Sequence, residues 1–271
     1  MISVVIPLYN KEASIAQSLK SVLSQEYDDF EVVIVDDGST DGSVGVVEAI
    51  NDPRIRLIKQ ENSGPSKARN TGVKNAKWEW ILFLDADDEL EPDAFEYFAK
   101  NINKHNDTSF IFAPFYTSRC GNKTLACKYQ EGMVENPYKE HFFGRILPRT
   151  GAFVCTRELC LKEPFDENIR RFEDLEWLYR IYKHTIIYKV SKPVLTTNID
   201  FSAASRARKD IQEDFLGHLD FKGKSFWEKM ALYALYLGER NYYPEQCRKL
   251  YPGLHRRYDW LLLYKLIHFL K

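Results

Sequence analysis

Three short segments carry side chains able to do chemistry together: Pro7-Leu8-Tyr9-Asn10, Asp36-Asp37-Gly38-Ser39-Thr40-Asp41 and Asp85-Ala86-Asp87-Asp88. Carboxylates this close repel one another wherever water is excluded, so a divalent cation best explains Asp85, Asp87 and Asp88. Neither His nor Cys lies beside them. Such a donor set suits Mn²⁺ or Mg²⁺, whose shell is completed by water and substrate phosphates. Other phosphate and metal motifs fail on their own spacing. No G-x-G-x-x-G follows the first strand pattern, and Gly223-Lys224-Ser225 lacks the Walker A glycine because His218 stands there. Asp36–Gly42 lacks the alternating ligands and closing Glu of an EF-hand.

These segments need a scaffold that brings them together. Ser3–Ile6, Val32–Val35, Ile55–Ile58 and Trp80–Leu84 are continuous apolar runs, as in strands buried on both faces of a parallel sheet. Between them, Ile15, Leu19, Val22 and Leu23 repeat with helical period after Asn10, the expected N-cap. Thr40 or Asp41 can cap a second helix through Val44, Val47 and Ile50; Ser66–Ala76 and Pro92–Ile102 supply two more. This βα alternation puts the strand carboxyl ends, and all three segments, on one edge. Phe110–Phe112, Ala152–Thr156, Ile186–Val190 and Val194–Thr197 read as further strands, and Glu173–Lys183 as a helix. Residues 116–150 have no clear period and are expected to form loops and short elements beside the site.

Composition excludes several classes. With 38 Lys+Arg against 39 Asp+Glu, the chain is too balanced for dedicated nucleic-acid binding. Hydrophobic residues at 44% exclude uniform disorder, and no apolar run is long enough to span a membrane. The start, Met1-Ile-Ser-Val-Val-Ile, has no basic signal-peptide region, which places the expectation in the cytoplasm. Five cysteines without C-x-x-C spacing read as reduced thiols rather than a zinc site. Residues 222–271 hold ten Lys/Arg and four Asp/Glu, unlike the acidic chain before them. There Ser225–Gly238 and Asp259–Lys271 read as helices. The last sets Arg257, Lys265, His268 and Lys271 mostly opposite Trp260, Leu263, Ile267 and Leu270. That pattern suits either peripheral contact with the inner face of a membrane or packing on the preceding residues.

The ordered set Pro7-x-Tyr9-Asn10, Asp36 to Asp41, Asn62-x-Gly64-Pro65-Ser66-x-Ala68-Arg69-Asn70-x-Gly72, Asp85-x-Asp87-Asp88 and Glu173-Asp174 resembles the family 2 inverting glycosyltransferases of GT-A fold. Each piece alone is weak, but together in this order they are specific. The likeness covers roughly residues 1–200. It implies an α/β fold, a Rossmann-like, mostly parallel sheet flanked by helices. Its catalytic domain would span 1–221, with a nucleotide half 1–115 and an acceptor half 116–221, followed by a basic helical extension 222–271.

By this resemblance the enzyme would be metal-dependent. It would move a sugar from a nucleotide-sugar, expected to be a UDP-sugar, to a hydroxyl of a glycan or lipid-linked acceptor in surface polysaccharide synthesis. Pro7, Tyr9 and Asn10 would line the nucleotide pocket, with Tyr9 stacking on the base. Asp37 would accept the base N–H, and Arg69 would lie near the diphosphate or the base. Asp85 would contact ribose or sugar, Asp87 the metal, and Asp88 the donor sugar, with Lys67 a further donor-sugar candidate. Asp174 would be the general base and Glu173 its orienting partner, two roles that could exchange. Without the resemblance, these two acids would be read as complements to a helix dipole. Trp177 would be either an apolar platform for an acceptor sugar or core.

The sequence departs from the family pattern after the last strand. Where many relatives carry Arg-x-His, this chain has Asn198 and Asp200, so Asp200 or water is the expected third metal ligand. Ser202, Ser205, Arg206 and Arg208 are candidates for phosphate. Two other readings compete. A nucleotidyltransferase would need a basic Gly-rich loop after the first strand, and a degenerate non-catalytic nucleotide-sugar or glycan-binding module would not need Asp85, Asp87 and Asp174 together.

Overall fold

The computed structural model describes residues 1–201 and 210–254. The first half alternates strand and helix: β1 Ile2–Leu8, α1 Ile15–Leu23, β2 Phe30–Asp36, α2 Ser43–Glu48, β3 Ile55–Lys59, α3 Pro65–Asn75 and β4 Trp80–Phe83. The strands pair in parallel in the order β3-β2-β1-β4. Strands β1, β2 and β4 are buried almost throughout, as their unbroken apolar runs require. Two expected caps differ, and α2 follows Gly42 with neither Thr40 nor Asp41 at its N-cap. Asn10 does not cap α1, because a turn at Lys11–Ser14 delays the helix until Ile15. Asn10 instead adopts a left-handed conformation with φ +50°.

The rest of the chain extends this sheet and adds another. It runs β5 Asp88–Leu90, α4 Ala94–Lys104, β6 Phe110–Phe112, β7 Phe115–Arg119, β8 Asn122–Leu125, β9 Gly132–Met133, α5 Pro137–Phe142, β10 Phe153–Thr156, α6 Arg157–Lys162, α7 Glu173–Ile181, β11 Ile187–Lys189 and β12 Leu195–Asn198. The main sheet continues β4-β10-β6-β11-β9, with β10 antiparallel to both neighbours, while β5-β12-β7-β8 form a second sheet. Within the stretch expected to be loops, β7 and β8 make a hairpin whose turn, Cys120-Gly121, has φ values of +48° and +78°. Both positive values match a primed turn, a conformation that Asn-Gly signals more openly than Cys-Gly.

Residues 222–254 continue the same core. Ser225 and Glu228 form a capping box at α8 Phe226–Glu239, and α9 spans Pro244–Leu250. Met230, Tyr233 and Tyr236 of α8 are buried in the cluster that also contains β1 and β4, and Trp227 packs against Phe142 at the end of α5 and the following Phe143. Arg171, just before α7, donates to Asp214 at 2.6 Å and to Glu239 of α8 at 2.7 Å. The expected helix 259–271 lies outside the described residues, as do Arg257 and the other tail cations assigned to it. All five cysteines are free thiols, and all but Cys120 are buried. No helix among the described residues is long and apolar enough to cross a membrane.

One close approach fixes how α3 lies on the sheet. A Cβ added to Gly72 would come within 2.3 Å of Val5 Cγ1, and the β-branched Val5 is fully buried in the central strand β1. Gly72→Val is therefore expected to cost about 3 kcal/mol by overpacking, read as a lower midpoint in thermal or urea denaturation.

Candidate functional site

The carboxyl ends of β1 and β2 are tied into one rim. Asn10 N–H donates to Ser39 Oγ (3.1 Å), and its Oδ1 accepts from Thr40 N–H (2.8 Å). Asp36 accepts from Ser39 N–H, and Asp41 from the backbone of Glu12 and Ser43, so these two acids shape turns. Pro7 sits within β1, and the Tyr9 side chain beyond it is 47% exposed on the rim. Buried Asp37 accepts from Gln60 Nε2 (2.7 Å), Ser63 N–H (2.9 Å) and Gly64 N–H (2.8 Å). A carboxylate has about four acceptor positions, so these contacts leave capacity for one further donor.

The end of β4 carries the acids. Carboxylate oxygens of Asp85, Asp87 and Asp88 all lie within 4.8 Å of one another, the closeness that their spacing implied. Each has its own cation. Arg69 donates to Asp85 (3.0 Å), Lys11 Nζ to Asp87 (2.5 Å), and Arg149 to Asp88 (3.1 Å). Thr150 Oγ1 also donates to Asp85 (2.8 Å), and Asn198 N–H to Asp88 (3.0 Å).

The charge states follow from these surroundings. Burial raises the Asp85 carboxyl, but Arg69, Arg149 and Thr150 outweigh it and hold it below the usual range. Burial and Asp85 together raise Asp87 despite Lys11. Asp88 is pushed up to about 7, chiefly by burial, with Asp85 and Asp87 adding to the rise and Arg149 opposing it. Clustered hard oxygens that resist carrying three charges at once suit a divalent cation, so the residues fit the metal expected from sequence.

Helix α3 connects this cluster to the second acidic pair. Arg69, with a side chain only 5% exposed, donates through one arm to Asp85 and through the other to Glu173 Oε1 at 2.9 Å. Ser66 Oγ donates to Ile169 O (2.9 Å), and Asn70 exchanges hydrogen bonds with the Phe165 backbone (3.0 and 2.9 Å). Three α3 side chains thus hold the strand of chain leading to α7, whose first two residues are Glu173 and Asp174. Phe172, with φ +57°, turns the chain into that helix. Burial raises the carboxyls of Glu173 and Asp174 above their ordinary values, against the pull of Arg69. A half-buried carboxylate with a raised pKa is a stronger proton acceptor than one in water.

Other sequence candidates lie apart from this centre. Lys67 pairs with Glu167 at 3.0 Å on the surface. Asp200 does not join the acidic cluster: its carboxylate accepts from Cys120 N–H (2.7 Å) at the β7–β8 turn. Trp177 is core and no platform, stacked on Phe165 with centroids 4.7 Å apart and fully buried. Ser202, Ser205, Arg206 and Arg208 lie outside the described residues. Sequence reasoning missed Lys11, Arg149 and Thr150. Lys11 directly follows Asn10 and could have been found from that adjacency, whereas Arg149 and Thr150 sit in a stretch without period.

Comparison with known proteins matches residues 3–170 to the glycosyl transferase family 2 model. An uncharacterized glycosyltransferase of Rickettsia conorii is 36% identical over 183 residues, 64% of this chain and 28% of that protein. Glycosyltransferase GlyG of Streptococcus pneumoniae is 31% identical over 196 residues, 67% of this chain and 65% of its own length. The chain thus spans less than two thirds of these curated relatives. Among solved structures, S. aureus TarS 1–349 in complex with UDP-GlcNAc superposes with a TM-score of 0.74 at 21% identity, covering 96% of this chain and 78% of that one. This likeness supports the α/β fold of GT-A type.

The shared guanidinium yields a direct test. Arg69→Met would leave Asp85 and Glu173 without their common cation. It is expected to cost about 3 kcal/mol of folding stability, read by chemical denaturation.

Proposed function

The chain belongs to glycosyl transferase family 2, and we propose that it is a metal-dependent, inverting transferase. It would move a sugar from a UDP-sugar to a hydroxyl of a glycan or lipid-linked acceptor in surface polysaccharide synthesis. The observation that carries this reading is the coupling of two acidic centres through Arg69, one suited to a metal-bound diphosphate and one to a proton acceptor.

In this reading Tyr9 stacks on the base beside Pro7 and Asn10, and Asp37 uses its remaining acceptor position for the base N–H. Asp85 contacts ribose or sugar, Asp88 orients the donor sugar, and Lys67 is a peripheral donor-side candidate. Asp87, with its two acidic neighbours, would hold Mn²⁺ or Mg²⁺, which when bound offsets the charge growing on the diphosphate. Asp174 takes the proton of the acceptor hydroxyl while the acceptor oxygen bonds to the anomeric carbon from the face opposite the departing diphosphate. In-line displacement inverts that carbon. Glu173 keeps Arg69 in place beside the base. UDP as carrier is supported by the TarS complexes with UDP and UDP-GlcNAc.

We further propose that the protein works in the cytoplasm, with the basic segment 222–271 contacting the membrane that carries the acceptor. Equal recovery of the full chain and of an Arg257→Glu/Lys265→Glu/Lys271→Glu variant on anionic liposomes would count against that contact.

The function is tested by thermal-shift screening of UDP, GDP, CDP and dTDP, each with Mn²⁺ or EDTA. A Mn²⁺-dependent shift with UDP is expected in the wild type and in Asp174→Asn, and is lost in Asp87→Ala. Turnover of Asp174→Asn should fall about 10³-fold. Absence of a shift with every nucleotide would instead favour a degenerate binding module.

A further inference from the structure

The three cations on the acidic cluster are not equivalent. Arg69 is locked between Asp85 and Glu173, and Arg149 brings a planar fork whose charge also acts on Asp85 and Asp174. Lys11 brings a compact ammonium on a flexible stem, with its side chain 22% exposed. Its backbone is fixed, since Lys11 N–H donates to Ser43 Oγ at 2.8 Å. The ammonium thus hangs on a flexible four-carbon stem from a fixed backbone position. The oxygen it holds, Asp87 Oδ2, belongs to one of the three carboxylates that lie close enough together to hold a divalent ion. Two cations on one carboxylate oxygen repel strongly where little water screens them.

We propose that Lys11 is the resident counter-cation of Asp87. It keeps a bare divalent ion out of the cluster and releases Asp87 only when the ion arrives with a diphosphate, whose oxygens then accept the ammonium. The identity of that diphosphate rests on the function proposed above; the competition at Asp87 does not. Metal alone therefore binds weakly, metal and nucleoside diphosphate strengthen each other, and the coupling is reciprocal. Lys11 is a positioning residue in this scheme, acting through the order in which the site fills.

The experiment titrates Mn²⁺ into wild type, Lys11→Gln, Lys11→Arg and Asp87→Asn, following free Mn²⁺ by electron paramagnetic resonance, with and without UDP. Lys11→Gln is expected to bind Mn²⁺ alone roughly tenfold more tightly than wild type. The further gain on adding UDP should shrink by a similar factor. Lys11→Arg, which restores the charge, should stay close to wild type, and Asp87→Asn should lose the site. If Lys11→Gln binds Mn²⁺ alone no more tightly than wild type while its circular dichroism is unchanged, the proposal is overturned. Should UDP leave Mn²⁺ binding unaltered in every protein, the diphosphate hand-over and the donor reading both fall. The comparison without UDP still decides whether Lys11 competes at Asp87.

Discussion

A guanidinium removed from water persists only where carboxylates meet it, and Arg69 meets two. Because its two arms reach Asp85 at the end of β4 and Glu173 at the start of α7, one side chain sets the distance between sheet edge and helix. Around it, four further residues of the α3 motif have structural tasks. Ala68 packs on Val33 and Val35, Gly72 lies against Val5, and Ser66 and Asn70 grip the chain before α7. Those contacts bury Arg69, and the desolvation this costs is offset by its ion pairs with Asp85 and Glu173.

The same constraint reaches the end of the described chain. Arg171, two residues before Glu173, is held by fully buried Asp214 and by Glu239 of α8. The loop carrying the acidic pair is thereby gripped from both sides, by α3 and by a segment beyond the region that the family model matches. Helix α8 shares its core with the sheet, so the change of charge near residue 222 marks a change of surface rather than a break in packing. Sequence composition reads surfaces more readily than cores, which explains why the shift stood out.

Much of the nucleotide half was legible because its signals are local. Apolar runs announced β1, β2 and β4, and Asp85-x-Asp87-Asp88 a shared pocket, whereas β3, expected to be buried on both faces, is an edge strand carrying Arg56 and only half-buried. What escaped reading is relational. Lys11 pairs with an acid far along the chain, and Arg149 reaches Asp88 from a stretch without period. Asp200 looked like a ligand by order, yet the hairpin turn at Cys120 captures it. Strand β5 begins inside the acidic motif and is too short to show a period; only its pairing with β12 makes it a strand. Trp177 had the right spacing from the acids, but helical geometry turned it into the aromatic core beside Phe165 and Phe83.

The insertion of β10 between β4 and β6 bears on how the polypeptide reaches this state during synthesis. Strands β1 to β4 can pair as they emerge, but the outer edge of β4, Trp80 to Phe83, finds its neighbour only when residues 153–156 have left the ribosome. Until then a fully apolar strand edge lies open, beside acids whose partner Arg149 has also not been made. Such an edge is a template for mispairing, and closing a loop of this length is slow compared with local helix formation. The nascent chain therefore passes through an interval in which its nucleotide half is largely formed, sticky and unable to act. Chaperone contact at that edge would matter more than any contact after the sheet has closed.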